Sequence, residues 1–212
     1  SDRFLGSYFL EIDIIEGLRF KSNFGPDWRF RKNGNFSGSM TSVNRNGENS
    51  ASMDESRNFR FTWDNILSYQ TNFNDIHDLN LTFVQSFESD RSEYLYGAVK
   101  SLASERQLYY ALGSAEKITN LNSGLSEWTF HSYMGRLNYI LQDKYLFTLT
   151  GRWDGSSRLA EGNKWDFFPS AAVAWRISEE YFLRNNQNIN DLKLRIGYGV
   201  TGNTAISPYR TQ

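Results

Sequence analysis

In the segment Leu192-Lys193-Leu194-Arg195-Ile196-Gly197-Tyr198-Gly199-Val200, every second residue is apolar. A period of two belongs to an extended strand, whose successive side chains point to opposite faces. One face carries Leu192, Leu194, Ile196, Tyr198 and Val200; the other carries Lys193, Arg195 and two glycines. The same alternation sets Tyr145, Phe147, Leu149 and Trp153 against Thr148, Thr150 and Arg152. It sets Val173, Trp175 and Ile177 against Ala172, Ala174 and Arg176. Such faces meet either a protein core and water, or lipid and a water-filled lumen.

Eight segments read as strands, over residues 3–15, 18–30, 57–69, 79–87, 128–141, 144–153, 165–177 and 192–200. In the second, Leu18, Phe20 and Phe24 oppose Arg19 and Lys21; in the third, Phe59, Phe61 and Trp63 oppose Arg60, Thr62 and Asp64. Glu16-Gly17 and Gln142-Asp143 read as tight turns. Residues 31–56 are polar and aperiodic and predict a long loop. A second long excursion is expected over 88–127, with a short amphipathic helix where Leu95, Val99, Leu102 and Ala103 recur at helical spacing. Helical character is also expected over 178–191, with Ser178 as N-cap and Glu179-Glu180 a solvated first turn. Connections after the first, third and fifth strands are short, and those after the second, fourth and sixth are longer. Short turns on one rim and long loops on the other are the pattern of an outer-membrane barrel. The spans also reach the ~9–11 residues that a tilted strand needs to cross a bilayer.

Composition supports this class. With 16 Phe, 12 Tyr, 6 Trp, 16 Gly and 3 Pro, strands and turns are favoured over helices. Charge is balanced, 23 basic against 24 acidic residues, so a nucleic-acid partner is not implied. The absence of Cys excludes disulfides and thiolate metal sites. No run of 18 apolar residues predicts a transmembrane helix. The mean hydropathy of -0.59 does not count against a membrane, because β-spans alternate. Ser1 is followed by no signal-peptide pattern.

The expected fold is all-β: an antiparallel meander of about eight long strands, part of a large transmembrane β-barrel, with short helical pieces in connections. Two rival architectures share the alternation. One is a soluble β-sandwich that binds glycans on aromatic platforms; the other is a closed eight-stranded outer-membrane barrel with a structural role. Strand length and the clustering of Trp28, Trp63, Tyr145, Trp153 and Trp165 near strand ends favour a membrane wall.

Four motifs then carry a family resemblance. They are GRLNY at 135–139, DKYLFTLTGRWDGSSRL at 143–159, WDFFPSAAVAWRISEEYF at 165–182 and INDLKLRIGYGVTGN at 189–203. In this order and spacing they resemble the SusC/RagA family of TonB-linked outer-membrane transporters. The likeness is strong over 135–209 and weaker at 18–25 and 65–69; Leu159 stands where the family often has Phe. The resemblance implies a much larger barrel with an N-terminal plug. Residues 1–212 would then be a partial TonB-dependent receptor β-barrel, an internal piece without plug domain or remaining strands. It implies an outer-membrane location and uptake of oligosaccharides or peptides. It also implies a SusD-like surface lipoprotein, the TonB complex (through the plug region) and outer-membrane lipid as partners. Under it, Arg19, Lys21, Arg60, Asp64, Thr148, Arg152, Arg176, Lys193 and Arg195 line the lumen. Phe147, Leu149, Val173, Leu192, Leu194, Ile196 and Tyr198 face lipid.

No catalytic constellation stands out, so transport rather than enzyme chemistry is expected, with no cofactor. Gly197-Tyr198-Gly199-Val200-Thr201-Gly202 matches G-x-G-x-x-G, but a dinucleotide site needs a helix opening at the third glycine, and 203–208 has no helical pattern. His77 and His131 lack companions at zinc-ligand spacing. Asp154, Asn163 and Asp166 are oxygen donors without the fixed spacing of a cation loop.

Overall fold

A computed structural model describes residues 1–44, 47–183 and 189–202. The described residues form nine strands: β1 (Asp2–Leu5), β2 (Tyr8–Ile15), β3 (Leu18–Ser37), β4 (Ser50–Phe73), β5 (His77–Leu102), β6 (Ala115–Leu141), β7 (Tyr145–Ser156), β8 (Trp165–Arg176) and β9 (Lys193–Gly199). They make one sheet in which β1 and β2 both pair with β3, and β3 through β9 follow in sequence order. A meander of consecutive antiparallel neighbours needs only reversing turns. The turns expected at Gly17 and at Gln142-Asp143 are present, and the polar connection expected over 71–78 narrows to a tight hairpin at 74–76. Asn74-Asp75 and Gln142-Asp143 each place two left-handed residues in a row, at φ 54° and 57°. Each is closed by a hydrogen bond, Ile76 N to Phe73 O and Lys144 N to Leu141 O, the arrangement of a type I′ hairpin. Gly17 has φ 78°, and a Cβ there would lie 2.2 Å from the Gln70 carbonyl oxygen, so this turn admits only glycine.

The single first strand expected over 3–15 is broken at Gly6-Ser7, and Pro26 is the reason. The β1 register (Leu5 opposite Asp27) and the β2 register (Tyr8 opposite Phe24) bring Gly6 opposite Pro26. Gly6 N donates to Pro26 O at 2.9 Å, but proline has no N–H to return.

The chain packs as two units. The first comprises Ser1–Gly6, Pro26–Phe61 and Ser89–Glu127; the second comprises Ser7–Gly25, Thr62–Glu88 and Trp128–Gln212. The first unit overturns three expectations. The loop predicted for 31–56 is strand to Ser37 and again from Ser50. The excursion predicted for 88–127 is strand to Leu102 and from Ala115, joined by a short irregular 3-10 segment over Glu105–Ser114. The helix expected around Leu95–Ala103 is strand. These segments lack alternation because their side chains are mostly exposed or half-exposed on both sides, so no apolar medium selects one face. The helical spacing of Val99 and Leu102 has its own cause. Ser101 adopts φ 58°, which interrupts the two-residue alternation and turns both side chains into one small cluster with Ala51. Asn49 brackets that site: its side chain accepts from Leu102 N at 2.6 Å and donates to Leu102 O at 3.1 Å.

In the second unit, the part of the expected helix over 178–191 that lies among the described residues holds a single 3-10 turn, Ile177–Glu179, with Ser178 buried inside it rather than capping it. Ile177 N and Ser178 N both donate to Leu192 O, and these bonds supply the partners a helix would have given. Residues 184–188 of that connection and 203–208 beyond the glycine motif lie outside the described residues. Gly197 and Gly199 sit in β9 opposite Ala172 and Ser170, so the first part of the motif is strand rather than a phosphate loop.

Candidate functional site: a two-faced strand wall

Register assigns the side chains of β7–β9, and of β6 from Phe130 onward, to a face. Leu137, Leu149, Ala171 and Tyr198 stand in one cross-strand row, and Tyr139, Phe147, Val173 and Ile196 in the next. The alternate rows are Arg136-Thr150-Ser170-Gly199 and Asn138-Thr148-Ala172-Gly197. One face is therefore apolar and the other polar. The apolar face is bare: Leu149 is 51% exposed, Ile196 70% and Tyr198 78%. Among the described residues the buried hydrophobic side chains are Ala51, Val99, Leu102 and Ala174, all small or medium. Four such residues cannot hold a chain of this size together in water; the apolar face calls for an apolar medium. A broad groove of about 790 Å³ runs along that face, floored by Gly135, Gly151 and Pro169 and bordered by Leu149, Phe167 and Tyr198.

The apolar face ends in rings. Trp165 packs edge-on to Trp153, with centroids 5.5 Å apart, and stacks with Tyr133 at 6.1 Å. His131 joins this group, 4.4 Å from the Phe87 ring, while His77 Nδ1 lies 2.7 Å from the Tyr139 hydroxyl. Both histidines thus serve aromatic packing or hydrogen bonding. Ring clusters with one polar edge suit a membrane interface.

Several side chains of the polar face are tied by local ion pairs and hydrogen bonds. Arg19 bonds Asp13 at 2.7 Å and lies 3.2 Å from Glu11, and Lys21 lies 3.6 Å from Glu11. Asp64 accepts a short hydrogen bond from the Ser86 hydroxyl. Arg152 donates to Asp154 at 2.7 Å. Thr148 donates to Asn138 at 3.0 Å, and Arg176 donates to the Asp143 carbonyl at 3.3 Å. Asp64 and Arg152 share a cavity of about 310 Å³ with Ser86, Arg136 and Thr150. Thr148, Lys193 and Arg195 share a smaller one of about 110 Å³. Arg19 and Lys21 stand apart from both, on β3. Arg60 belongs to the first unit, 3.7 Å from Asp90. Leu192 precedes β9 and supplies the carbonyl that closes the 3-10 turn.

Several participants escaped sequence reasoning. Arg136, Asn138 and Ser132 occupy even positions of β6, and extending the alternation of 128–141 would have found them. Glu180 would not have been found. It accepts from the Tyr145 hydroxyl at 2.7 Å, the Trp175 indole at 3.1 Å and Lys144 at 3.3 Å. Those three donors, the tyrosine first, hold its carboxyl below the usual glutamate range. The solvated acidic turn expected at Glu179-Glu180 is corrected for Glu180, whose side chain is only 15% exposed. Asp154 is likewise taken up by Ser132 and Arg152, and among the described residues no cluster of His, Cys, Asp or Glu is placed to hold a metal ion.

The family motifs prove to be joints. In Asp154-Gly155-Ser156-Ser157-Arg158, Asp154 ties β7 to Ser132 of β6. A Cβ at Gly155 would lie 2.6 Å from the Trp165 ring, so only glycine lets that ring lie flat on the strand. Ser157 exchanges bonds with the Thr129 backbone, and Arg158 stacks on Trp128 at 3.8 Å.

No family model matches the chain. Over its whole length it is 35% identical to TonB-dependent receptor P26 of Formosa agariphila, covering 22% of that protein. It is 31% identical to TonB-dependent receptor P3 of the same organism, covering 21%. Over 74 residues, 35% of this chain and 7% of the relative, it is 57% identical to TonB-dependent receptor SusC of Bacteroides thetaiotaomicron. The fold superimposes on the RagAB peptide transporter with a TM-score of 0.89 at 20% identity, covering 99% of this chain and 24% of that one. The chain thus spans about a fifth of the length of the relatives it matches end to end. Fold and faces together define a class: a run of barrel-wall strands, apolar on one side and polar on the other. The chain is similar end to end to TonB-dependent receptors, over 74 residues to SusC, and in fold to the RagAB transporter.

Proposed function

We propose that residues 1–212 form part of the barrel wall of a TonB-dependent transporter that takes up oligosaccharides or peptides across the outer membrane, the plug and remaining strands being supplied elsewhere in the receptor. The observation that carries this reading is the unbroken division of β6–β9 into a bare apolar face and a hydrogen-bonded polar one. In lipid every backbone polar group must be satisfied within the protein, and a paired meander does this along its interior strands.

The apolar face, with Phe147, Leu149, Val173, Leu194, Ile196 and Tyr198, meets lipid; Leu192 adjoins it. The polar face, with Arg19, Lys21, Asp64, Thr148, Arg152, Arg176, Lys193 and Arg195, lines the lumen, and Arg60 continues that set in the first unit. These residues pair with one another, with the plug and with passing substrate. The energy comes from the inner membrane through TonB. The long connections reach the cell exterior and meet a SusD-like lipoprotein. SusC and the RagAB transporter, by name and by fold, support this assembly. The rival architectures find less support. A sandwich needs two sheets, and the described strands form one; a closed eight-stranded barrel needs a ladder from β9 to β1 or β2, and the described pairing has none.

The facing is tested by arginine substitution in the full-length receptor. Arginine at mid-bilayer on a lipid face costs ~2–4 kcal/mol, and lumen changes cost less. Leu149→Arg and Leu194→Arg are expected to deplete folded receptor from the outer membrane. Thr150→Arg and Arg195→Ala are expected to leave its level near wild type. Equal losses in both sets would overturn the assignment.

A further inference from the structure

The first unit contains a cleft that the transport reading does not use. Trp28 of β3, Arg57 and Phe59 of β4, and Arg91 and Glu93 of β5 enclose about 330 Å³. Trp28 is 56% exposed and Phe59 42%, so two ring faces are open to a ligand. The two arginines are held differently. Arg91 bonds Glu93 at 2.6 Å and Glu127 at 2.8 Å, so its charge is more than offset and its plane is fixed. Arg57 lies over the Phe30 ring, 5.7 Å from its centroid, and among the described residues has no carboxylate within 4.0 Å. Stacking orients the guanidinium and leaves its N–H edge free to form a paired bond with an anionic oxygen group.

Rings, a fixed Arg–Glu pair and one unbalanced guanidinium make a specific combination. Ring faces take the C–H face of a pyranose, and Arg91 with Glu93 offers both donors and acceptors for hydroxyls. Arg57 supplies one charge-assisted contact. We propose that this cleft is a binding site for an acidic saccharide, a sugar bearing one carboxylate or phosphate, with the sugar ring on Trp28 and Phe59 and the anionic group on Arg57. Such a sugar has two sources, a soluble acidic oligosaccharide or the headgroup of a membrane glycolipid. The inference uses residues of the first unit alone and is independent of which substrate the receptor transports.

The test is calorimetric titration of the full-length receptor, purified in detergent, with digalacturonate as the acidic probe and cellobiose as the neutral one. Lipopolysaccharide in nanodiscs probes the membrane source in a separate arm. Digalacturonate or lipopolysaccharide is expected to bind saturably, with cellobiose at least about tenfold weaker. Arg57→Gln and Trp28→Ala should each weaken the acidic ligand about tenfold, as loss of a charge-assisted contact or a ring platform predicts. Arg57→Lys, which keeps the charge but not the fork, should fall between. Binding confined to one arm identifies the source. Equal affinity for cellobiose, absence of saturable binding in both arms, or unchanged affinity in Arg57→Gln and Trp28→Ala would overturn the proposal. Membrane level, the readout of the facing test, is separate from this one, so the two readings fail independently.

Discussion

Ser132 Oγ donates to Asp154 Oδ1 at 2.6 Å, and both residues are buried. They stand in register across β6 and β7, where the same carboxylate also receives Arg152. One carboxylate thus ties together two strands at the start of the Asp154–Arg158 run.

The two partners should not be equivalent on deletion. Ser132→Ala leaves Asp154 still paired with Arg152, whereas Asp154→Ala strands a buried hydroxyl and an arginine together. Leaving a buried polar group unpaired costs about 1–3 kcal/mol. Asp154→Ala should therefore lower the unfolding temperature of the full-length barrel more than Ser132→Ala does, measured by the heat-induced gel-mobility shift. A larger loss in Ser132→Ala would contradict the geometry.

Glu180 makes a pH-dependent joint between the start of β7 and the end of β8. Its carboxyl is held below the ordinary glutamate range by the Tyr145 hydroxyl, then Trp175 and Lys144. A carboxyl with a lowered folded-state value contributes stability that is complete above its unfolded value and is lost as pH falls through the folded one. The barrel should therefore lose part of its thermal stability in acid, below the usual glutamate range. Glu180→Gln should be less stable at neutral pH and show a shallower acid dependence. An unchanged acid profile in Glu180→Gln would show that other carboxylates govern it.

The described sheet has two open edges, β9 at one side and β1 with β2 at the other. Hydrocarbon offers no partners for their free N–H and C=O groups. The isolated 212 residues should accordingly fail to insert into liposomes as a monomeric open sheet, giving no heat-modifiable, protease-resistant band. Appearance of such a band would show that the edges close on each other.

Much of the second unit was legible in the chain because its sheet has one apolar and one polar face, and each selects its own residue types. Alternation at Leu192–Val200 and at 165–177 located β9 and β8 to within one residue at each end, and that at 144–153 located β7 to within three, with apolar and polar side chains divided between two faces. Hairpins at Gly17 and at Gln142-Asp143 were legible because left-handed turns restrict which residues can make them. Arg136 and Asn138 were legible but were not read from β6. The break at Gly6 was not legible from the first strand, because its cause, Pro26, lies on the neighbour.

In the first unit the same rule failed for a physical reason. Where no apolar medium covers either face, strands need only their backbone ladders, and polar residues occupy both sides; 31–37, 50–56 and 88–102 carry no period to read. A local exception then imitated a helix, since Ser101 alone brings Val99 and Leu102 to one side.

Sequence by itself determined the class, through period-2 faces, the order of short and long connections, and motifs at the strand joints. All of these act between residues near one another along the chain or repeat at a fixed spacing. Tertiary structure alone decided which partners meet. It set Glu180 under Tyr145 and Trp175, Ser132 against Asp154, Asn49 around Leu102, and Arg57 beside Trp28. Those pairings depend on the register between strands, and register is settled only when whole ladders and both faces are satisfied together.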